Sequence, residues 1–417
     1  MISEASGRPL SQNRDRPLSV LTFTSLFPNG IDPTHGIFIA QRMKYFAELG
    51  HRVVVVAPVP YVPVGLRSRS AFAKVAPFEQ FAGMDVYHPR YPLVPKISMP
   101  FHGNLMYLGA RKLVHSLHAE NRFDLVDAHY VYPDGFAGVK LARLLGLPSV
   151  VSARGSDINL FTQFTSIRPQ IKWCLNQADA AVAVSDGLKR KMLDLGIPDN
   201  KVKIIANGVD AGNFRPQDRA ESRRRLGIPM DIQVLVCVAG LVETKGHAIL
   251  LEAVAALKEK FPKLHLYSIG KGKLLQQLTE KIHSLSLGDR VTFVGSLPHD
   301  ELPYWFSAAD LSCLISAREG CPNAVAESLA CGCPVIGSYI PGIQELVSNE
   351  YLGRLTQRQP QAVAATIDQA LSVSWNREQI AGSMAGRTWT DVAREVERLF
   401  LTVLNPTESL QKVTPVP

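Results

Sequence analysis

Short apolar strands alternate with amphipathic helical segments along most of this sequence, in two successive series. In the first, residues 19–24 read as a strand. Ile37 to Leu49 then carries Ile39, Met43, Phe46 and Leu49 at helical spacing, and Val53-Val54-Val55-Val56 follows as an unbroken β-branched run. A strand with no polar alternation is buried on both faces, which is the condition of a parallel sheet covered by helices. Further strand segments are expected at 125–128, 149–152, 180–184 and 203–205. Helices are expected at 136–145 and after Ser185, a residue able to cap one. The second series places strands at 233–239, 264–269, 291–294, 311–315 and 334–336, with helices at 247–260, 274–284, 301–308 and 323–330. Two such runs imply an α/β fold of two doubly wound, Rossmann-like domains.

The expected division is a polar tail at 1–17, a first domain at 18–206, a second at 207–386, a final helix at 387–404 and a frayed tail at 405–417. Val392, Val396, Leu399 and Phe400 share one face of that final helix.

Composition removes several function classes. With 46% hydrophobic and 20% charged residues, the 417-residue chain is not globally disordered. Its six cysteines (Cys174, Cys237, Cys313, Cys321, Cys331 and Cys333) include no C-x-x-C pair, so buried reduced thiols are expected rather than a disulfide scaffold or zinc ribbon. Arg8, Arg14 and Arg16 precede no apolar signal core, and prolines break the most apolar stretch. A cytoplasmic protein, soluble or peripheral at a membrane, is the expectation. Net charge is +8, with +9 in residues 1–208 and −1 in 209–417. The asymmetry points either to an anionic partner of the first half or to drift in surface composition. It is too diffuse to mark a nucleic-acid binder.

Ligands of open α/β sheets sit beyond the carboxyl ends of the strands, so the segments after each strand carry the candidate chemistry. The richest is Ser316 to Ile336. It holds Glu319 on a turn, then Gly320, Cys321, Pro322 and Asn323 at a helix start, and Glu327 within the helix. Uncapped amides at such a start suit anions or hydroxyls, and carboxylates suit paired hydroxyls. A second segment, 238–247, places Gly240 after a strand and Lys245-Gly246 before a helix, a plausible phosphate contact without P-loop spacing. His129 ends the strand Leu125-Val126-Asp127-Ala128, where a side chain can reach ligand. Gly36 opens the first helix, either for the turn alone or for close approach to a ligand. There is no D-x-D and no G-x-G-x-x-G, which leaves metal-dependent and dinucleotide arrangements unsupported.

Residues 319–335 resemble the E-G-x-P-x-x-x-x-E-x-x-A-x-G-x-P-V signature of retaining glycosyltransferases of family 4. Residues 27–29, 34–38, 127–130 with 132–135, and 153–159 are similar to the branch that includes teichuronic-acid and exopolysaccharide transferases. The resemblance spans Leu18 to Phe400. It implies the GT-B fold, with two Rossmann-like domains facing a cleft and a C-terminal helix crossing back to the first domain.

It further implies a nucleotide-sugar donor, UDP- or GDP-linked, held by the second domain, and a glycan or lipid-linked acceptor on the first. No cofactor and no metal are implied. By resemblance Glu327 contacts the ribose, Glu319 with Gly320, Cys321, Pro322 and Asn323 holds the sugar, and Lys245 binds the diphosphate. His129 and Gly36 contact the reacting groups, Asn207 and Asp210 face the donor, and Gly270 and Val294 lie beside the nucleotide. The family's Arg before Lys245 is Gly240 here, and Arg154 and Arg318 are candidate replacements. Another GT-B activity, epimerase or phosphorylase, and a catalytically silent sugar-binding relative remain the alternatives.

Overall fold

The computed structural model describes residues 16–61, 71–93 and 98–405, which form two compact units. The first contains the described residues through 182, Met192–Lys203 and 393–405. The second contains Ala183–Lys191 and Ile204–Val392.

The first unit is built on β1 (Ser19–Phe23), α1 (Ile37–Glu48), β2 (Arg52–Val56), β3 (Val59–Tyr61), β4 (Phe78–Phe81), β5 (Met84–Tyr87) and β6 (Arg90–Pro92). These lead into α2 (His102–Asn121), β7 (Leu125–His129), α3 (Phe136–Leu145), β8 (Ser149–Ala153), α4 (Ser156–Asn159), α5 (Arg168–Gln177), β9 (Ala180–Ala183), α6 (Asp186–Asp194) and β10 (Val202–Ile204). Its eight-stranded sheet runs β10-β9-β8-β7-β1-β2-β5-β4. β1 pairs in parallel with both β2 and β7. Val55 and Val56 on β2 are fully buried, as the unbroken valine run requires. Burying one such side chain stabilises the fold by about 1.5–3 kcal/mol.

The second unit begins with α7 (Arg219–Leu226), started by Asp218, whose side chain accepts the Glu221 N–H, and stopped by Gly227. There follow β11 (Gln233–Val238), α8 (His247–Leu257), β12 (Leu264–Ile269), α9 (Leu275–Ser284), β13 (Val291–Gly295), α10 (Leu302–Ala308), β14 (Leu311–Leu314), α11 (Asn323–Ala330) and β15 (Val335–Ser338). Then come α12 (Pro341–Gln344), β16 (Gly353–Thr356), α13 (Pro360–Leu371), α14 (Arg377–Gly382) and α15 (Trp389–Leu404). The sheet order β13-β12-β11-β14-β15-β16 is parallel throughout. Counted within the unit, that is strand order 3-2-1-4-5-6, which reverses between β11 and β14. The first sheet reverses between β1 and β7. Each reversal splays two strand ends apart and opens a crevice where side chains can meet a ligand.

Several elements were not foreseen. Residues 57–124 hold the twenty-residue α2 and the antiparallel pair β4–β5, which closes one sheet edge. β3 and β6 make a separate two-stranded sheet, and β16 with α13 extends the second unit. The start of α6 belongs with the second unit because Glu345 accepts the N–H groups of Asp186 and Gly187, each at 3.0 Å. A carboxylate at a helix start satisfies orphan donors and the positive end of the helix dipole.

Helix α15 opens with a reciprocal cap. The Asp391 N–H donates to Thr388 Oγ1 at 3.2 Å, and Thr388 Oγ1 donates to Asp391 Oδ2 at 2.5 Å. Its start is tied to Val209, and from residue 393 it belongs to the first unit. There Phe400 meets Phe46, with ring centroids 5.3 Å apart, and Glu397 meets His51 at 2.8 Å. Five cysteines are buried and Cys321 is half-buried. Burial pushes the Cys237 thiol up to about 12, which makes it a poor nucleophile.

Candidate active site

In the second unit, the crevice between β11 and β14 is formed by two loops that touch. The Ala317 N–H donates to the Thr244 carbonyl at 2.7 Å. Gly246, with φ +73°, starts α8 where a Cβ would stand 2.1 Å from the Ile315 carbonyl oxygen. Only glycine permits both that backbone conformation and that approach. The approach sets Lys245 Nζ 2.6 Å from Glu319 Oε1, an oxygen that also accepts from Ser316 Oγ at 2.6 Å. The carboxylate is mostly buried, whereas the Lys245 side chain is 27% exposed, so the ammonium is the partner open to an incoming anion.

Gly240 lies at the same strand end and is exposed. A Cβ there would meet only the Lys271 carbonyl, at 3.6 Å. Its own carbonyl accepts from His247 Nε2 at 3.1 Å. The 270–272 loop lies against 239–241, because a Cβ on Gly270 or Gly272 would collide with the Ala239 or Leu241 carbonyl. The G-x-G there is therefore accounted for by loop-to-loop approach. Arg318 is exposed.

The expected helix start is α11, whose first turn no side chain caps. Pro322 occupies the residue before the helix, not its first turn, in extended backbone. Asn207 Nδ2 donates to Asn323 Oδ1 at 2.8 Å, which ties the segment after β10 to α11. Gly320 is buried and Cys321 half-buried beside that start. Asp210 turns its Oδ1 onto the N–H groups of Gly212 and Asn213.

Glu327 has the partner that a buried carboxylate requires, His299 Nε2 at 2.8 Å. Burial opposes charge on His299, but the hydrogen bond and the charge of Glu327 outweigh it, with Asp210 adding to them. Its pKa is raised. The His299 ring also lies 4.7 Å from that of Phe214. Val294, on β13, is half-buried. His299 was missed because a lone histidine after a proline carries no pattern, and its partner lies 28 residues away.

The first unit places different chemistry at its reversal. Gly36, with φ +63°, starts α1 with its Cβ position 2.2 Å from the Leu26 carbonyl. His129 does not reach an open surface as its strand-end position predicts, because its ring is fully enclosed. Nε2 lies 2.9 Å from Asp127 Oδ2, and Nδ1 takes Arg154 Nη2 at 2.5 Å. Burial pushes His129 down to about 4, against the pull of Asp127, so the ring is neutral at pH 7. A neutral imidazole that accepts from Arg154 at Nδ1 carries its proton on Nε2, toward Asp127. Burial would raise the Asp127 carboxyl, but His129, Arg42 and Arg154 together hold it below its ordinary value.

Arg42 is 1% exposed and donates to Ser152 Oγ at 3.0 Å. The Arg154 guanidinium stands 5.4 Å from the Phe38 ring centroid, and its backbone N–H is held by Asp157. Asp127 and Arg42 were missed as site residues. A period-2 reading of β7 puts Asp127 and His129 on one face and would have paired them. Among the described residues there is no cluster of His, Cys, Asp or Glu able to hold a metal ion, and no helix long and apolar enough to cross a membrane.

The family described as Glycosyltransferase Family 4 matches residues 36–213, and the one described as Glycosyl transferases group 1 matches residues 218–383. The chain is 28% identical over 361 residues to a putative teichuronic acid biosynthesis glycosyltransferase, TuaC, of Bacillus subtilis (strain 168), covering 84% of this chain and 88% of that one. It is 28% identical over 418 residues to D-inositol 3-phosphate glycosyltransferase 1 of Catenulispora acidiphila, covering 94% and 96%. Among solved structures, sucrose-phosphate synthase from Thermosynechococcus elongatus matches with TM-score 0.77 at 20% identity, covering 94% of this chain and all of that one. Anabaena HepE in complex with UDP and glucose matches with TM-score 0.66 at 20% identity, covering 95% and 100%.

Proposed function

From the premise that the chain belongs to the family 4 glycosyltransferases, we propose that it moves a sugar, with retention, from a UDP- or GDP-linked donor to a glycan or lipid-linked acceptor. The observation that carries this reading is the Lys245–Glu319 pair at the reversal of the second sheet. Lys245 leaves Glu319 for the diphosphate and neutralises the charge that grows on the leaving group, a role metal ions fill elsewhere. No metal is needed. Glu319, relieved of the ammonium, accepts hydroxyls of the donor sugar, with the backbone of 320–323 beside it. Glu327 keeps one oxygen on His299 and offers the other to the ribose hydroxyls. In the first unit, His129 acts through Arg154: the enclosed imidazole fixes the guanidinium that meets ligand.

Retention in this reading proceeds on one face of the sugar, the departing diphosphate assisting removal of the acceptor proton. The naming of one relative for teichuronic acid biosynthesis supports a bacterial cell-surface polysaccharide as the product, and HepE, solved with UDP and glucose, supports the donor class. Lipid-linked acceptors suit a cytoplasmic enzyme docked on an anionic membrane face through its basic first half. The basic residues of that half proposed to dock are Arg67, Arg69, Lys74 and Lys189-Arg190-Lys191, of which Arg67 and Arg69 lie outside the described residues. Lys74 is exposed, and Lys189-Arg190-Lys191 lie on α6, where Arg190 pairs with Asp186 at 2.6 Å.

Gly240 favours one second reading, a silent sugar-binding relative, because it leaves Lys245 without the second cation of the motif. The test is nucleoside diphosphate release from a panel of UDP- and GDP-sugars, with and without glycan acceptors. Release that requires an acceptor supports transfer. Binding without release under every combination supports the silent reading.

A further inference from the structure

Gly240, exposed beyond the end of β11, is a glycine that the fold itself does not require. Its neighbours in the two touching loops have plain steric reasons: a Cβ on Gly246, Gly270 or Gly272 would stand 2.1, 2.1 or 2.3 Å from a carbonyl oxygen. A Cβ on Gly240 would meet nothing closer than the Lys271 carbonyl at 3.6 Å, and its backbone is not left-handed. Among the described residues no group accepts the Gly240 N–H. A glycine with neither strain nor crowding to explain it leaves its backbone open to close approach by a ligand.

That open backbone is fixed from behind by His247, the first residue of α8, which is 4% exposed. Its Nε2 lies 3.1 Å from the Gly240 carbonyl. A carbonyl only accepts, so in the neutral ring Nε2 carries the proton and Nδ1 accepts. Facing Nδ1 are two donors, the Ser268 hydroxyl of β12 at 3.4 Å and the Cys237 thiol of β11 at 3.8 Å. Burial lowers the pKa of His247 by more than the bond to Gly240 raises it, which keeps the ring neutral. The imidazole thus ties two strands and the strand-end turn to the start of α8. Within the loop, the Val242 N–H donates to the Gly240 carbonyl at 2.8 Å and the Lys245 N–H to the Val242 carbonyl at 3.0 Å. The stretch from 240 to 247 therefore closes on itself, with Lys245 inside it. An apolar side chain of similar volume would fill the place under α8 but would leave the Gly240 carbonyl unheld. A satisfied buried polar group specifies geometry in a way that apolar packing does not.

We propose that His247 is a positioning residue for the donor diphosphate: it holds residues 240–246 so that the Gly240 N–H donates to the diphosphate beside the Lys245 ammonium, in place of the second cation that Gly240 does not supply. This rests on the transferase reading above. A donor already held in place loses little freedom when its anion arrives, so a neutral amide can contribute where a mobile side chain would first have to be ordered.

Equilibrium binding of UDP, GDP, uridine and guanosine to the full chain tests it, read as the ratio of diphosphate to nucleoside affinity for whichever base binds. His247→Leu should lower that ratio about tenfold, the worth of one hydrogen bond at the upper end of its range. Nucleoside affinity should stay unchanged, which also certifies that the variant is folded. His247→Gln, whose amide N–H can reach the same carbonyl, should restore the ratio. Ser268→Ala removes one support of the ring without touching the turn and should lower the ratio by a smaller factor, about threefold. The proposal is overturned if the ratio is the same in His247→Leu and Ser268→Ala as in the parent, if nucleoside and diphosphate weaken together, or if His247→Gln binds no better than His247→Leu. Diphosphate binding that ignores His247 removes the clasp alone and leaves the donor site standing. A parent chain that binds neither UDP nor GDP removes the donor reading, and the clasp with it.

Discussion

The two units reach their chemistry by the same backbone device and then differ in what they expose. In each, a glycine in left-handed backbone starts the first helix after the first strand, against a carbonyl about one atom's width away: Gly36 on Leu26 and Gly246 on Ile315. In each, the crevice lies where strand order reverses. The second unit puts a partly exposed ammonium there, on a carboxylate it can leave. The first puts an enclosed carboxylate–imidazole pair there, both side chains 0% exposed, with Arg154 outside them. A site that must release a charged product needs ions that exchange partners readily. Under the proposed function, the first unit's enclosed groups are locked in place to orient the acceptor.

The comparison is broken most sharply by its charged pair. Lys245→Ala and Glu319→Ala should each lower kcat by at least about a hundredfold, as loss of a transition-state charge stabiliser does. Nucleoside diphosphate release at saturating substrate measures it, and full activity in either variant removes that residue from the mechanism. Asp127→Asn in the first unit should have a smaller effect on turnover, about tenfold, and should cost about 3 kcal/mol of stability, because it breaks a buried pair. Donor KM should not move, which separates a positioning role from donor binding. A shift in donor KM with kcat intact would place Asp127 with the donor instead.

Much of this difference was visible in the residues, and some was not. The valine run of β2 and the apolar periodicity of α1 and α15 carry their own burial pattern. The Glu319–Glu327 stretch carries its spacing, and Lys245 its place before a glycine. Helix α2 was missed because its buried stripe is narrow: Met106, Ala110, Val114 and Leu117 lie among His102, Arg111, Lys112, His115 and His118. His299 on Glu327 and Arg154 on His129 join residues that only the fold brings together. Burial of His129 could not be read from its place at a strand end, because exposure there depends on loops arriving from elsewhere in the chain. Those loops here bring Arg154 over the ring.

Glycine replacements sharpen the shared device. Gly36→Ala and Gly246→Ala should each cost about 1–3 kcal/mol from backbone conformation alone, with the carbonyl collision added. The two losses should be similar in denaturant midpoints. A tolerated alanine at one position only would mean that the device is not shared.

A further test reads a pH slope confined to the first unit. Burial pushes Asp134 up to about 7, while its Oδ1 accepts the Ser25 N–H. The folded state holds that proton more tightly than the unfolded one, so Asp134 makes stability fall as pH rises from about 4 to about 7. Asp134→Asn keeps an acceptor for Ser25 and should flatten that slope, by up to about 1.4 kcal/mol for each pH unit removed. An unchanged slope in urea midpoints between pH 4 and 7 would mean that the carboxyl titrates normally.

The central claim is that the second unit holds a nucleotide-sugar donor through Lys245, Glu319 and Glu327. Thermal unfolding of the full chain with UDP-, GDP-, ADP- and dTDP-sugars tests it most directly, because a ligand of the native state raises its stability. The account predicts that a UDP- or GDP-sugar raises the Tm of the parent chain and that the rise is lost in Lys245→Ala and Glu327→Gln. No rise with any nucleotide sugar, or the same rise in both variants, would contradict it.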